Sequence, residues 1–201
     1  AIGYKAGRAL ATGDDNITIG YESGVSLITG DDNTIVGNYA GANLTDNSAQ
    51  TLYGYKAGQH LITGAGKNTL IGFYAGIKLG HGDCDNNTAV GYSALGGGHS
   101  TETGNTGKNN TAIGTSTCGA GASAAFTAQS NVCFGTEAGN LITGGIGNSL
   151  IGFQAGNTIT TGNNNIIIGN TSDGAAALTG TIALGSFIST SYNYESRLGY
   201  Y

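Results

Sequence analysis

The chain has 201 residues, of which 38 are glycine and none is proline, and only 9% are charged, for a formal net charge of −5. A typical soluble domain has roughly 7% Gly, ~5% Pro and ~25% charged residues. With 25 Thr and 20 Asn as well, this composition excludes a helical bundle, because Gly, Thr and Asn are poor helix formers. Seven scattered basic residues give no phosphate-neutralising face, so no nucleic-acid partner is expected. The longest apolar runs, such as 166–168, are far short of the ~18 residues of a membrane span, so no membrane insertion is expected. Three cysteines, Cys84, Cys118 and Cys133, imply no closed disulfide framework. A chain without methionine that opens Ala1-Ile2-Gly3 is expected to be a processed product or a segment of a longer protein.

The sequence repeats. Taking as origin the glycine that follows an apolar residue, the units begin at Gly3, Gly20, Gly37, Gly54, Gly72, Gly91, Gly114, Gly135, Gly152, Gly169 and Gly185. Successive intervals are 17, 17, 17, 18, 19, 23, 21, 17, 17 and 16 residues. Four positions before the origin stands an asparagine column: Asn16, Asn33, Asn68, Asn87, Asn110, Asn131, Asn148 and Asn165. Immediately before the origin every unit is apolar or aromatic, as in Ile19, Val36, Ile71, Val90, Ile113, Ile151 and Ile168, which are assigned to the core. A small residue follows three positions after the origin, and a second apolar column, including Leu27, Leu44, Leu61, Leu79, Ile142 and Ile159, lies seven after it.

A repeat of this length with stacked small, apolar and amide columns predicts an all-β fold: a parallel β-solenoid, or β-roll, of about ten 17-residue coils over 1–185. Stacked asparagines can hydrogen-bond from coil to coil as in cross-β arrays. Glycines supply the turns, and the absence of proline preserves the ladder donors. Two apolar columns per coil predict a flattened roll with two short strands and two turns. At about 4.8 Å per coil, ten intervals give a rod of about 48 Å.

The residue two before the origin is also often apolar, as in Ile35, Leu52, Leu70, Leu150 and Ile167. Alternate residues of a strand face opposite sides, so both faces of this strand call for burial, and the second requires a neighbour. A second copy around a rotation axis is the simplest neighbour, which predicts a cyclic homo-oligomer.

Asn87-Thr88-Ala89-Val90-Gly91 and Asn110-Thr111-Ala112-Ile113-Gly114 resemble the N-[ST]-x-A-[IV]-G motif of trimeric autotransporter adhesin heads. The wider unit, with G-x-x-A-G and Thr160-Thr161-Gly162-Asn163-Asn164, resembles the repeats of bacteriophage tail fibres. The resemblance covers most of the chain and implies a homotrimeric left-handed parallel β-roll. It also implies a structural fibre or adhesion protein, with a host cell-surface glycan or protein receptor as partner. The expected setting is a virion tail fibre, or the extracellular space or cell surface. The alternatives are a bacterial trimeric surface adhesin or extracellular filament subunit, and an ice-binding solenoid suggested by the column Thr34, Thr51, Thr69, Thr88 and Thr111.

Candidate sites follow from breaks in the pattern. Asp14-Asp15 and Asp31-Asp32 occupy one turn in successive coils, where carboxylates either hold a cation or cap their own backbone; Asp83 and Asp85 are similar. An aromatic column one position after the origin, including Tyr4, Tyr21, Tyr55, Phe73, Tyr92 and Phe153, is either a sugar-stacking stripe or ordinary packing. The longer coils predict looped-out insertions near 96–107 and 119–129, where a receptor contact could sit. Residues 186–201 leave the repeat and read as a cap or a junction. Their Tyr192, Tyr194, Tyr200 and Tyr201 are candidates for receptor contact. His60, His81 and His99 and the three cysteines share no ligand spacing. No nucleophile, acid–base pair or cofactor motif stands out, so neither catalysis nor a cofactor is expected.

Overall fold

The computed structural model describes residues 1–62, 64, 66–77, 79–80, 84–96, 105–119, 121–122 and 124–199. Its main sheet has eleven parallel strands. They are β1 (Ile17–Ile19), β2 (Thr34–Val36), β3 (Thr51–Tyr53), β4 (Thr69–Ile71), β5 (Thr88–Val90), β6 (Thr111–Ile113), β7 (Val132–Phe134), β8 (Ser149–Ile151), β9 (Ile166–Ile168), β11 (Ile182–Leu184) and β13 (Ser196–Leu198). A smaller parallel pair joins β10 (Asp173–Gly174) to β12 (Ser189–Thr190). Each strand lies beside the equivalent strand of the next coil, with origin glycines aligned: Thr34 opposite Thr51, Ile35 opposite Leu52, Val36 opposite Tyr53. The fold is thus an all-β parallel solenoid of about ten turns near 17-residue spacing.

The middle residue of each three-residue strand from β1 to β9, and of β11, points inward. Ile35, Leu52, Leu70, Ala89, Ala112, Cys133, Leu150, Ile167 and Ala183 are all fully buried. Facing them across the roll are Leu27, Leu44, Leu61, Leu79, Ile142 and Ile159, also fully buried. Between the two rows sit Ala40, Ala57, Ala75, Ala94, Ala138 and Ala155. The core is a slab two side chains thick, which explains the small residues: a larger third member would force the walls apart.

Two sequence expectations are corrected here. Ile19, Val36, Ile71, Val90, Ile113, Ile151 and Ile168, assigned to the core, lie on the outer side of the strand in the single chain; Ile19, Ile71, Ile151 and Ile168 are 37–39% exposed. Strand alternation places only one of two adjacent apolar columns inside, and the inner one is the column two before the origin. Second, the wall carrying the leucine column is a stack of tight turns rather than a second strand. There the Leu27 N–H donates to the Gly24 carbonyl within the coil (3.1 Å), while the Gly24 N–H donates to the Ala40 carbonyl of the next (2.9 Å).

The turns use left-handed backbone at recurring positions, many of them not glycine. Two residues after the origin, Lys5, Glu22, Tyr39 and Lys56 have φ of 53°, 52°, 60° and 57°. Side chains resist this conformation by roughly 1–2 kcal/mol. Bonds between coils hold it: the Glu22 N–H donates to the Tyr4 carbonyl and that of Tyr39 to the Tyr21 carbonyl, both at 2.8 Å. The origin glycine is compulsory for a second reason. A Cβ at Gly20 would lie 2.6 Å from the Gly37 carbonyl oxygen, and one at Gly114 2.7 Å from that of Gly135.

The asparagine column forms a saturated ladder. Asn110 Nδ2 donates to Asn87 Oδ1 (3.2 Å) and to the Ala128 carbonyl (2.8 Å). Its Oδ1 accepts from the Asn131 backbone N–H (3.1 Å) and from Asn131 Nδ2 (3.0 Å). Two donors and two acceptor sites are the whole capacity of a side-chain amide. The same pattern links Asn16 to Asn33, Asn68 to Asn87, and Asn131 through Asn148 to Asn165. Gln50 substitutes in the third coil, where its Oε1 accepts from Asn68 Nδ2 (3.2 Å).

The longer coils do not simply bulge. In the segment 119–129, Phe126 is fully buried in the core, and its N–H donates to the Oδ1 of buried Asn105 (2.7 Å). Of the segment 96–107, residues 97–104 lie outside the described residues. The boundary at 185 also moves: β13 pairs with β11, Ile182 opposite Ser196 and Leu184 opposite Leu198. Residues 186–198 therefore add one further, shorter coil despite leaving the repeat.

Two substitutions test the stacking. Asn110→Ala leaves the buried Ala128 carbonyl and Asn131 N–H without partners, at about 1–3 kcal/mol each, so denaturant unfolding should show a loss of about 2–6 kcal/mol. Gly114→Ala, which strains φ and meets the Gly135 carbonyl, should lower the unfolding midpoint comparably, whereas exposed Thr115→Ala stays within about 0.5 kcal/mol of the parent.

Candidate functional site: the outer face of the sheet

Three columns make up the outer face. The leading column holds the first residue of each strand, the trailing column the third, and the corner column the residue after the origin glycine. The trailing column runs the length of the rod and includes Ile2 (67% exposed), Tyr53 (58%) and Phe134 (52%). From Ile17 to Ser186, none of the three columns holds a charged residue. Charge lies on other columns, at Lys5, Glu22, Lys56 and Glu137 beyond the corner, and at Asp14, Asp31, Lys67 and Asp85 on the turn preceding the strand. Soluble surfaces mix both signs with polar groups, and contiguous uncharged apolar strips mark contact sites.

The aromatic column extends over the first six coils with one interruption. Tyr4 stacks on Tyr21 (5.1 Å between centroids), Tyr55 on Phe73 (5.0 Å) and Phe73 on Tyr92 (5.6 Å). Asn38 interrupts the column, and Tyr39 fills the gap edge-on to Tyr21 (5.3 Å). The Lys56 ammonium sits over Tyr39, Tyr55 and Tyr74 at 5.9, 5.4 and 5.8 Å. The near-parallel rings cover one another's faces and show mainly their edges outward. That geometry stabilises neighbouring coils and leaves few open faces for a sugar ring. Lys5 pairs with Glu22 (3.2 Å), whose carboxylate hydrogen bond holds the ammonium above its ordinary pKa.

The stacked aspartates act on the backbone. Asp31 Oδ1 accepts from the Asp14 N–H (2.9 Å), the Asp31 N–H donates to Ser48 Oγ (2.9 Å), and Asp15 and Asp32 take the left-handed conformation at φ 54° and 58°. Among the described residues no group of three or more His, Cys, Asp and Glu side chains is placed to hold a metal ion; Asp83 lies outside them. Nearby, a polar groove of about 400 Å³, which the sequence did not signal, is lined by residues including Asp46, Ser48, Lys67 and Asp85. His60 is half-buried, and burial followed by the nearby Lys56 charge pushes its imidazole below its ordinary pKa. His81 and His99 lie outside the described residues.

At the far end, Tyr192 and Tyr194 are 72% and 78% exposed. Their turn is fixed by Glu195, whose Oε2 accepts from the Ser191 and Tyr192 N–H groups (2.8 and 3.2 Å) and whose Oε1 meets Arg197 Nε. Those backbone bonds, then Arg197, hold the Glu195 carboxyl below its ordinary pKa. Tyr200 and Tyr201 lie outside the described residues. Comparison with protein-family models, with curated proteins and with solved structures gives no match to this chain.

Cys84, Cys118 and Cys133 are all buried thiols. Burial, and then the contact with Cys118, pushes the Cys133 thiol well up, which suppresses the reactive thiolate. Titration of the native protein with an aromatic disulfide reagent should find essentially no reactive thiol at pH 8, and three after denaturation.

Proposed function

We propose that this chain is a structural fibre segment: a homotrimeric rod forming the shaft or distal part of a phage tail fibre and presenting a host-receptor contact surface. One observation carries the reading, namely the uncharged apolar strip along the outside of an eleven-stranded sheet. At about 48 Å by about 16 Å it offers roughly 800 Å² per copy, the size of a standard stable interface. Because the trailing column is apolar in every coil, a copy of the chain itself is the most economical complement, and a closed ring of copies leaves no strip exposed. The motif resemblance supplies the number three and the tail-fibre setting. A bacterial trimeric adhesin or extracellular filament subunit shares the same architecture.

The mechanism is mechanical. A rigid rod holds three copies of a weak receptor contact in fixed relation, and avidity follows from effective concentration rather than from one tight site. The exposed Tyr192 and Tyr194 near the C-terminal end are the contact candidates, toward a host glycan or protein. Neither a cofactor nor catalysis enters this reading. The ice-binding alternative draws on the Thr column standing beside the trailing column on the exposed face. Tyr53 and Phe134 project from that face and interrupt the flat array such binding requires; a thermal-hysteresis assay decides it.

Light scattering should give a mass of about three times the 20.0 kDa chain, retained in mild detergent. The double substitution Ile71→Asp and Val90→Asp puts charge into the strip and should return the 20 kDa chain with its circular dichroism spectrum intact. A parent protein that is monomeric at micromolar concentration overturns the fibre reading.

A further inference from the structure

The apolar strip does not keep to the same columns along the rod. In coils β3 to β5 the leading column is threonine, at Thr51, Thr69 and Thr88, while the corner column is aromatic at Tyr55, Phe73 and Tyr92. In coils β7, β9 and β11 the order reverses. The leading column becomes Val132, Ile166 and Ile182, and the corner becomes Thr136, Asn170 and Ser186. Val132 and Ile166 are each 40% exposed, as a contact residue waiting for a partner is, and Phe73 and Tyr92 are 43% and 53% exposed on the other side. Four coils depart from this order: β1 has Ile17 with Tyr21, β8 has Ser149 with Phe153, and β2 and β6 have neither apolar member, with Thr34 and Asn38 and with Thr111 and Thr115. The trailing column stays apolar throughout and is the pivot.

The structure points to an interface that crosses the residue columns obliquely, so that copies of this chain meet through trailing and corner columns in the N-terminal half and through leading and trailing columns in the C-terminal half. The centre of the strip moves by two residues along the strand, about 7 Å, over about five coils or 24 Å, which corresponds to about 15° between strip and columns. The physical reason is the twist of parallel sheets. Columns of a twisted stack wind around the rod, and a partner following a rotation axis meets successive columns in turn. In coiled coils the mismatch between apolar period and backbone period fixes the winding of partners in the same way. This inference rests on the homo-oligomeric reading above.

Single-cysteine substitutions treated with a short bis-maleimide test it, since the three native thiols are buried. Val90→Cys and Ile168→Cys, in the pivot column, should cross-link between chains at both ends. Tyr92→Cys and Ile166→Cys should do so as well, about tenfold faster than Thr88→Cys and Asn170→Cys, because cross-linking follows the effective concentration of the paired thiols. Equal rates for Tyr92→Cys and Thr88→Cys, together with equal rates for Ile166→Cys and Asn170→Cys, describe a strip that follows the columns and overturn this inference while leaving the oligomer standing. An oligomer that cross-links at none of the six positions places the contact elsewhere and also overturns it. A 20 kDa species in light scattering removes the fibre reading and this inference together.

Discussion

Hydrogen bonding from one coil to the next is the constraint on which the rest of this molecule depends. A slab two side chains thick buries little apolar area per residue, so hydrophobic burial has less to offer here than in a rounded domain of the same length. The asparagine ladder answers that deficit. Asn68, Asn87, Asn110, Asn131 and Asn148 each spend both donors and both acceptor sites on neighbouring coils, so none of these amides is stranded in a region where stranding costs about 1–3 kcal/mol. The ladder also enforces register. A slip of one residue would place a strand's apolar middle residue outside and separate the amides by a full residue spacing, so both penalties fall together. Strict register in turn brings the origin glycines into line, close enough that no side chain fits between them.

The outer surface inherits that order. Because equivalent residues stack, any property of one column becomes a line along the rod: a line of rings at the corner, a line of amides before the strand, a line of apolar side chains on the sheet. A charge placed anywhere on the outer face would interrupt such a line, and all charge is found on other columns. The contrast between an uncharged sheet face and charged turns distinguishes the proposed contact surface from the solvated remainder.

Much of this was legible in the residues. The period gave the coil, the asparagine column gave the ladder, and Leu27 through Ile159 gave one wall of the core. The sidedness of the strand was misread, because two adjacent columns are apolar and periodicity alone does not rank them. A size argument would have ranked them. The inner column holds the small Ala89, Ala112, Cys133 and Ala183, whereas the outer one holds the large rings of Tyr53 and Phe134. The turn wall was hidden for another reason. Left-handed backbone at Glu22, Tyr39 and Lys56 is stabilised by bonds to the preceding coil rather than by the residue's own preference, so no local signal announces it. Phe126 falls in a segment whose departure from the common length predicts a loop, yet the added residues supply a ring that is fully buried in the core.

The same parallel register has a mechanical consequence. Bonds between coils lie along the length of the rod, so tension applied end to end acts on the layers in series, and the weakest layer opens first. Each coil set loose converts about 4.8 Å of stacked height into nearly 60 Å of extended chain for a 17-residue unit. A segment built this way lengthens under load in discrete steps, absorbing work at each one.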